Sequence, residues 1–175
     1  DCVLGLSTGS TPIGAYQQLI EWYRKGDLSF AETRTVNMDE YCGLAPTHEQ
    51  SYRRFMQTNF FDHIDVRLEN THVPNGLAED LEAECARYNR VIQELGGIDL
   101  QLLGMGHNGH IGFNEPGHTF ALETHAVDLS QNTIEANARF FASREYVLRR
   151  ALTMGIKTIM QARRILVVVS GEDKA

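Results

Sequence analysis

The segment Gly104-Met105-Gly106-His107-Asn108-Gly109-His110-Ile111-Gly112-Phe113-Asn114-Glu115-Pro116 holds two histidines and a carboxylate within a glycine-dense stretch. Glycine permits backbone angles and close approaches that a Cβ would block. Such a loop suits holding a small polar molecule against a proton-transfer group. Three chemistries compete for it. The spacing Gly104-x-Gly106-x-x-Gly109 formally matches a dinucleotide fingerprint, which requires a helix to begin there. Here two further glycines and Pro116 forbid a regular helix. His107, His110 and Glu115 could form a metal triad, yet their spacing matches no common helix-borne zinc motif. A proton relay uses His110, whose ordinary pKa lies near neutrality, with Glu115 to orient or charge it. The relay employs most of the polar groups and is the preferred reading.

Two other segments carry matching chemistry. Ser7-Thr8-Gly9-Ser10-Thr11-Pro12 offers backbone N–H groups, hydroxyls and a following helix N-terminus, which together make an anion cradle. It lacks the lysine and spacing of a nucleotide P-loop, so it suits a single phosphate rather than a triphosphate. Asn37-Met38-Asp39-Glu40-Tyr41 places adjacent carboxylates at a strand end. Neighbours in an extended segment point to opposite sides. One should therefore enter a cleft as base, with the other directed to solvent or a structural partner. Arg139 and Lys174 are the candidate cations for a phosphate in a chain whose net charge is −7. That acidity argues against a general nucleic-acid or anionic-membrane surface.

These segments need a frame to bring them together. Apolar runs over 2–6, 34–38, 98–103 and 164–169 read as strands, the last with the continuous character of a buried parallel strand. Helical spacing over 12–25, 51–61, 78–95 and 151–162 supplies the connecting helices, with Pro12 at a first turn and Ser51 or Thr47 as a cap. The alternation predicts an α/β fold: a three-layer, mostly parallel Rossmann-like sheet with helices on both faces. In such sheets ligands bind outside the carboxyl ends of the strands. Each strand here ends in its most polar loop, at 7–11, 37–41, 104–115 and 170–174, which predicts one composite site.

At 175 residues the chain is expected to form a single domain. It starts inside a strand without an initiator methionine and stops where a helix would start, so it reads as truncated at both ends. Three cysteines, Cys2, Cys42 and Cys85, show no paired spacing, which fits a reducing cytoplasm. No apolar run approaches the roughly 20 residues of a membrane span, and no signal-peptide pattern is present.

With these motifs in order along the chain, the sequence resembles the glucosamine-6-phosphate deaminase family. The matching stretches are Gly5 to Pro12, Asn37 to Tyr41, Ser51-Tyr52, Asn59-Phe60-Phe61-Asp62-His63, Gly106 to Pro116 and Ala138-Arg139-Phe140-Phe141. The resemblance implies that Asp39 takes the C2 proton of the open-chain sugar and delivers it to C1. It implies that His110 opens the pyranose ring with help from Glu115 and from the residue at 108. The 7–11 loop, with Arg139 and Lys174, would hold the phosphate. No metal or nicotinamide cofactor is implied, and the expected partner is a small sugar phosphate, with assembly into a homo-oligomer left open.

Two departures qualify the resemblance. Many relatives have aspartate at position 108, where this chain has Asn108; an amide cannot act as a proton donor acid, so the relay must rest on His110 and Glu115. Members activated by N-acetylglucosamine 6-phosphate carry basic residues ten to twelve positions after the Glu-Pro step. Here that region reads Thr124-His125-Ala126-Val127, which predicts little allosteric activation. The competing functions are a 6-phosphogluconolactonase-like enzyme and a non-catalytic sugar-phosphate sensor domain on the same scaffold.

Overall fold

The computed structural model describes residues 2–106, 108–131, 134 and 148–171. In chain order the elements are β1 (Cys2–Leu6), α1 (Ile13–Arg24), β2 (Thr33–Asn37), β3 (Asp39–Tyr41), α2 (Tyr52–Asn59) and β4 (Thr71–His72). They continue with α3 (Leu81–Glu94), β5 (Leu100–Leu103), β6 (His125–Asp128), β7 (Arg150–Thr153), α4 (Ile156–Met160) and β8 (Arg164–Val167). The main sheet has the order β4-β2-β1-β5-β8 with every pairing parallel. Among the described residues, no helix is long and apolar enough to cross a membrane.

Alternation along the strands sends side chains to two separate cores. Val3, Val36 and Leu103 pack on one face with Tyr88 and Ile92 of α3 and Ile159 of α4. Leu6 and Leu102 pack on the other with Tyr16 and Ile20 of α1 and Met56 of α2. Helices therefore cover both faces, as the hydrophobic pattern predicts. Two buried tyrosines also tie the helices to the strand ends. The Tyr88 hydroxyl donates to the Asn37 carbonyl at 2.7 Å, and the Tyr16 hydroxyl donates to the Ser7 carbonyl at 2.6 Å. Each ring contributes apolar burial while its polar tip stays satisfied.

A second sheet, antiparallel and ordered β3-β7-β6, stands beside the first. The chain passes between the sheets at Met38. Its N–H donates to the Leu6 carbonyl of β1 at 3.0 Å, while its carbonyl accepts from Met154 N–H at 2.8 Å, just beyond β7. The polar strand-end loop expected over 37–41 is thus largely a strand itself.

Other differences from the sequence reading have physical causes. The helix expected over 151–162 is strand β7, a break at Gly155, and the short helix α4. Ala151, Leu152 and Thr153 are fully buried between β3 and β6, and that burial outweighs the helix propensity of alanine and leucine. A Cβ on Gly155 would lie 2.3 Å from the Glu123 carbonyl oxygen, so the chain comes too close there for another residue. β8 is parallel as expected but not buried: it is the outermost strand described, and Leu166 and Val167 are about half exposed. α2 starts after Ser51, whose side chain accepts from Arg54 N–H. α3 starts later than residue 78, at a cap made by Asp80 accepting from Ala83 N–H at 2.9 Å.

Candidate active site

The carboxyl ends of β1 and β5 and the start of β3 converge on one cavity of about 340 Å³. Ser7, Thr8, Gly9, Ser10 and Thr11 form one wall, and Asp39, His110 and Glu115 face the same space. Segments remote in sequence therefore meet, but only three of the four polar strand ends do so: Ser170 and Gly171 do not line the cavity, and residues 172–174 lie outside the described residues. The 7–11 loop runs directly into α1, with Gly9 at φ +98° making the turn. Ser7 is largely buried, and its hydroxyl oxygen has no hydrogen-bond partner among the described residues. A buried hydroxyl left open at the positive end of a helix suits an incoming oxyanion.

Asp39 opens β3 and is 6% exposed. The glycine loop crosses close to its carboxylate. A Cβ on Gly112, where φ is +58°, would lie 3.2 Å from Asp39 Oδ2 and 2.9 Å from Thr153 Oγ1. Only glycine fits that passage. Burial, reinforced by the neighbouring Glu40 charge, pushes the Asp39 carboxyl up to about 8. Glu40 points elsewhere and is also buried, accepting hydrogen bonds from the first turn of α2. Of the two destinations open to the second carboxylate, it takes the structural partner rather than solvent.

His110, Asn108 and Glu115 form a chain of hydrogen bonds. Asn108 Nδ2 donates to Glu115 Oε2 at 2.6 Å, and Asn108 Oδ1 lies 2.6 Å from His110 Nδ1. The same oxygen accepts from His110 N–H at 3.2 Å. With the amide nitrogen donating to a carboxylate, its oxygen must accept, so the imidazole carries its proton on Nδ1. In the neutral ring Nε2 then keeps its lone pair and can accept a proton. Gly106 lies beneath the ring: a Cβ there would come within 2.0 Å of His110 Cε1. Asn108 thus orients the His110 ring without lining the cavity itself. The loop contains turns and a bridge between Ile111 and Asn114, not the helix that dinucleotide binding needs. His107 of the metal-triad alternative lies outside the described residues.

A family profile described as "Glucosamine-6-phosphate isomerases/6-phosphogluconolactonase" matches residues 1–175. The chain belongs to this isomerase/lactonase family. A glucosamine-6-phosphate deaminase of Lachnoclostridium phytofermentans is 63% identical over 172 residues, covering 98% of this chain and 73% of the relative. One from Clostridium perfringens is 57% identical over 175 residues, covering 100% and 72%. Among solved structures, a monomeric glucosamine-6-phosphate deaminase superposes with TM-score 0.93 at 52% identity, covering 99% of this chain and 72% of that one. A 6-phosphogluconolactonase from Thermotoga maritima shares the fold, with TM-score 0.71 at 22% identity over 99% of this chain and 72% of its own.

Within this family frame, the site includes an aromatic wall that the sequence reading passed over. Tyr41 shares a face of β3 with Asp39, and Tyr52 opens α2 beside it; both line the cavity with Phe113. The Tyr41 and Tyr52 rings lie 4.8 Å apart, and Tyr52 is nearly parallel to Phe113 at 6.2 Å. The Tyr52 hydroxyl donates to that of Tyr41 at 3.2 Å. The available signal was position: Tyr41 follows Asp39 by two residues in a strand, and Phe113 sits inside the glycine loop. Arg139 and Lys174, the candidate phosphate cations, lie outside the described residues.

Proposed function

We infer that this protein is a glucosamine-6-phosphate deaminase, converting D-glucosamine 6-phosphate and water to D-fructose 6-phosphate and ammonia. The observation that carries the reading is the shared cavity of the 7–11 cradle, Asp39 and the His110 chain. In this mechanism the cradle anchors the phosphate, with Arg139 and Lys174 as its cations, so that C1 and C2 meet one carboxylate. His110 Nε2 accepts the O1 proton and delivers it to O5, and the ring opens. Asn108 and Glu115 hold that imidazole in the required tautomer.

Asp39 then removes the C2 proton, giving an enolamine, and returns it to C1. The resulting iminium at C2 adds water and expels ammonia. A carboxyl held near 8 in the free site makes a stronger base than an ordinary aspartate. The arriving amino-sugar ammonium favours its ionised form. No step of this scheme calls on a metal or nicotinamide. Free cysteines Cys2, Cys42 and Cys85 accord with a cytoplasmic enzyme.

Ammonia release from glucosamine 6-phosphate, measured for the wild type beside Asp39→Asn, tests the reading. Turnover by the wild type and its loss in the variant are expected. Turnover unaffected by the substitution removes the base assignment. Hydrolysis of 6-phosphogluconolactone in place of ammonia release, or binding without turnover, would favour the lactonase or sensor function.

A further inference from the structure

Glu40 has no role in the chemistry just described, yet it is 3% exposed and immediately follows the base. All four acceptor positions of its carboxylate are filled. Oε1 accepts from the N–H groups of Tyr41 and Tyr52, each at 2.9 Å. Oε2 accepts from Ser51 Oγ at 2.8 Å and from Arg53 N–H at 2.9 Å. Burial raises the Glu40 carboxyl above its ordinary value, and these four hydrogen bonds work against that rise; three of the donors are backbone N–H groups, which cannot accept a proton and so favour the ionised carboxylate. The Arg53 guanidinium is engaged elsewhere, with Nη1 donating to the Thr71 carbonyl and hydroxyl and the group lying over the Phe61 ring. The Tyr41 N–H that Glu40 occupies lies on the edge of β3 away from β7, which Glu40 therefore joins to α2.

We propose that Glu40 is a positioning residue of this site, its buried carboxylate locking α2 onto β3 and holding a fixed negative charge behind Asp39. The proposal rests on the deaminase reading for its kinetic test. The lock places Tyr52, the first residue of α2, against Tyr41 and Asp39. The charge makes ionisation of Asp39 harder, so the base binds the C2 proton more tightly. The other titratable groups around the two carboxylates are Tyr41 on β3, Tyr52 on α2, Tyr88 on α3 and His110 on the glycine loop, with Arg53 and Cys42 nearer Glu40. Burial holds the Tyr52 and Tyr88 phenols well above their ordinary value, so they stay neutral. Burial likewise pushes the Cys42 thiol up to about 11. Glu115 lines the same cavity but is held by Asn108 Nδ2, and Glu40 is the carboxylate adjoining Asp39 in the chain.

Two measurements test this. In the first, pH profiles of kcat and kcat/KM for ammonia release are compared for wild type, Glu40→Gln and Ser51→Ala. Glu40→Gln should move the Asp39 ionisation to lower pH, with about a tenfold loss in proton affinity, and should lower kcat. Ser51→Ala removes one donor but keeps the charge, so it should lower the melting temperature and leave the profile in place. A folded Glu40→Gln with an unmoved profile overturns the proposal. The second needs no variant: a carboxyl carbon NMR titration of the wild type. Glu40 should ionise first as pH rises and Asp39 last, whereas the reverse order overturns the proposal even where Glu40→Gln does not fold. A wild type that releases no ammonia refutes the activity, and the titration order still decides the role of Glu40.

Discussion

Replacing Asp39 by asparagine should stabilise the protein while abolishing its activity, and the size of the gain should depend on pH. In the folded chain the Asp39 carboxyl is pushed up to about 8 by burial and by Glu40, against an ordinary value of 3.8. Below the ordinary value, folded and unfolded states both carry the proton and the group costs nothing. As pH rises past that value the unfolded chain releases its proton while the folded one retains it, so wild-type stability falls until the folded group also ionises. At about 1.4 kcal/mol per pH unit, the whole window bounds the effect at about 6 kcal/mol. Relaxation of the site and coupling to Glu40 should reduce the observed gain to about 2–4 kcal/mol, or about 5–15 °C for a domain of this size. Urea denaturation of wild type and Asp39→Asn at intervals from pH 4 to 9 measures it directly. Glu40 titrates in both proteins, so most of its contribution cancels in the difference. The gap should be near zero at the acid end, widen through neutrality and level off above about pH 8. A gap that is flat across this range would falsify the burial argument.

Three further outcomes are expected. Gly106→Ala puts a methyl group 2.0 Å from the His110 ring, forcing it off Asn108; kcat should fall by about a hundredfold with little change in melting temperature, and an unchanged kcat would exclude the packing role of Gly106. Asn108→Asp places a negative charge against His110 Nδ1, favouring the imidazolium. The acid limb of its pH–rate profile should therefore move to higher pH, by about one unit, relative to a wild type that shows no carboxylate ionisation at this position. Finally, N-acetylglucosamine 6-phosphate should leave the wild-type kinetics hyperbolic and unaccelerated, because residues 124–127 offer no strong cation; sigmoidal kinetics relieved by that compound would contradict the sequence argument.

The residues most legible in the sequence were those whose types are costly in an ordinary turn. The glycine-rich loop around His110 and the hydroxyl-rich turn before Pro12 each implied a binding role, and both line the cavity. The parallel sheet was legible because apolar runs alternate with helical spacing. β6 and β7 were not, because β6 (His125–Asp128) carries no apolar run and β7 is composed largely of good helix formers. Tyr52 and Phe113 escaped notice because aromatic residues at such positions most often serve a core. Glu40 was ambiguous for another reason: the donors that retain it come from Ser51, Tyr52 and Arg53, and nothing in the local sequence announces that α2 folds back onto it.

The passage of the chain through Met38 has a consequence for substrate choice. Leu6, immediately before the 7–11 loop, and Asp39 are linked by one hydrogen bond and one intervening residue. The gap between the two is consequently a ruler cut into the backbone, with consecutive Cα atoms about 3.8 Å apart and little freedom to stretch. On the deaminase reading, that ruler sets which carbon of a sugar held by its terminal phosphate meets the carboxylate.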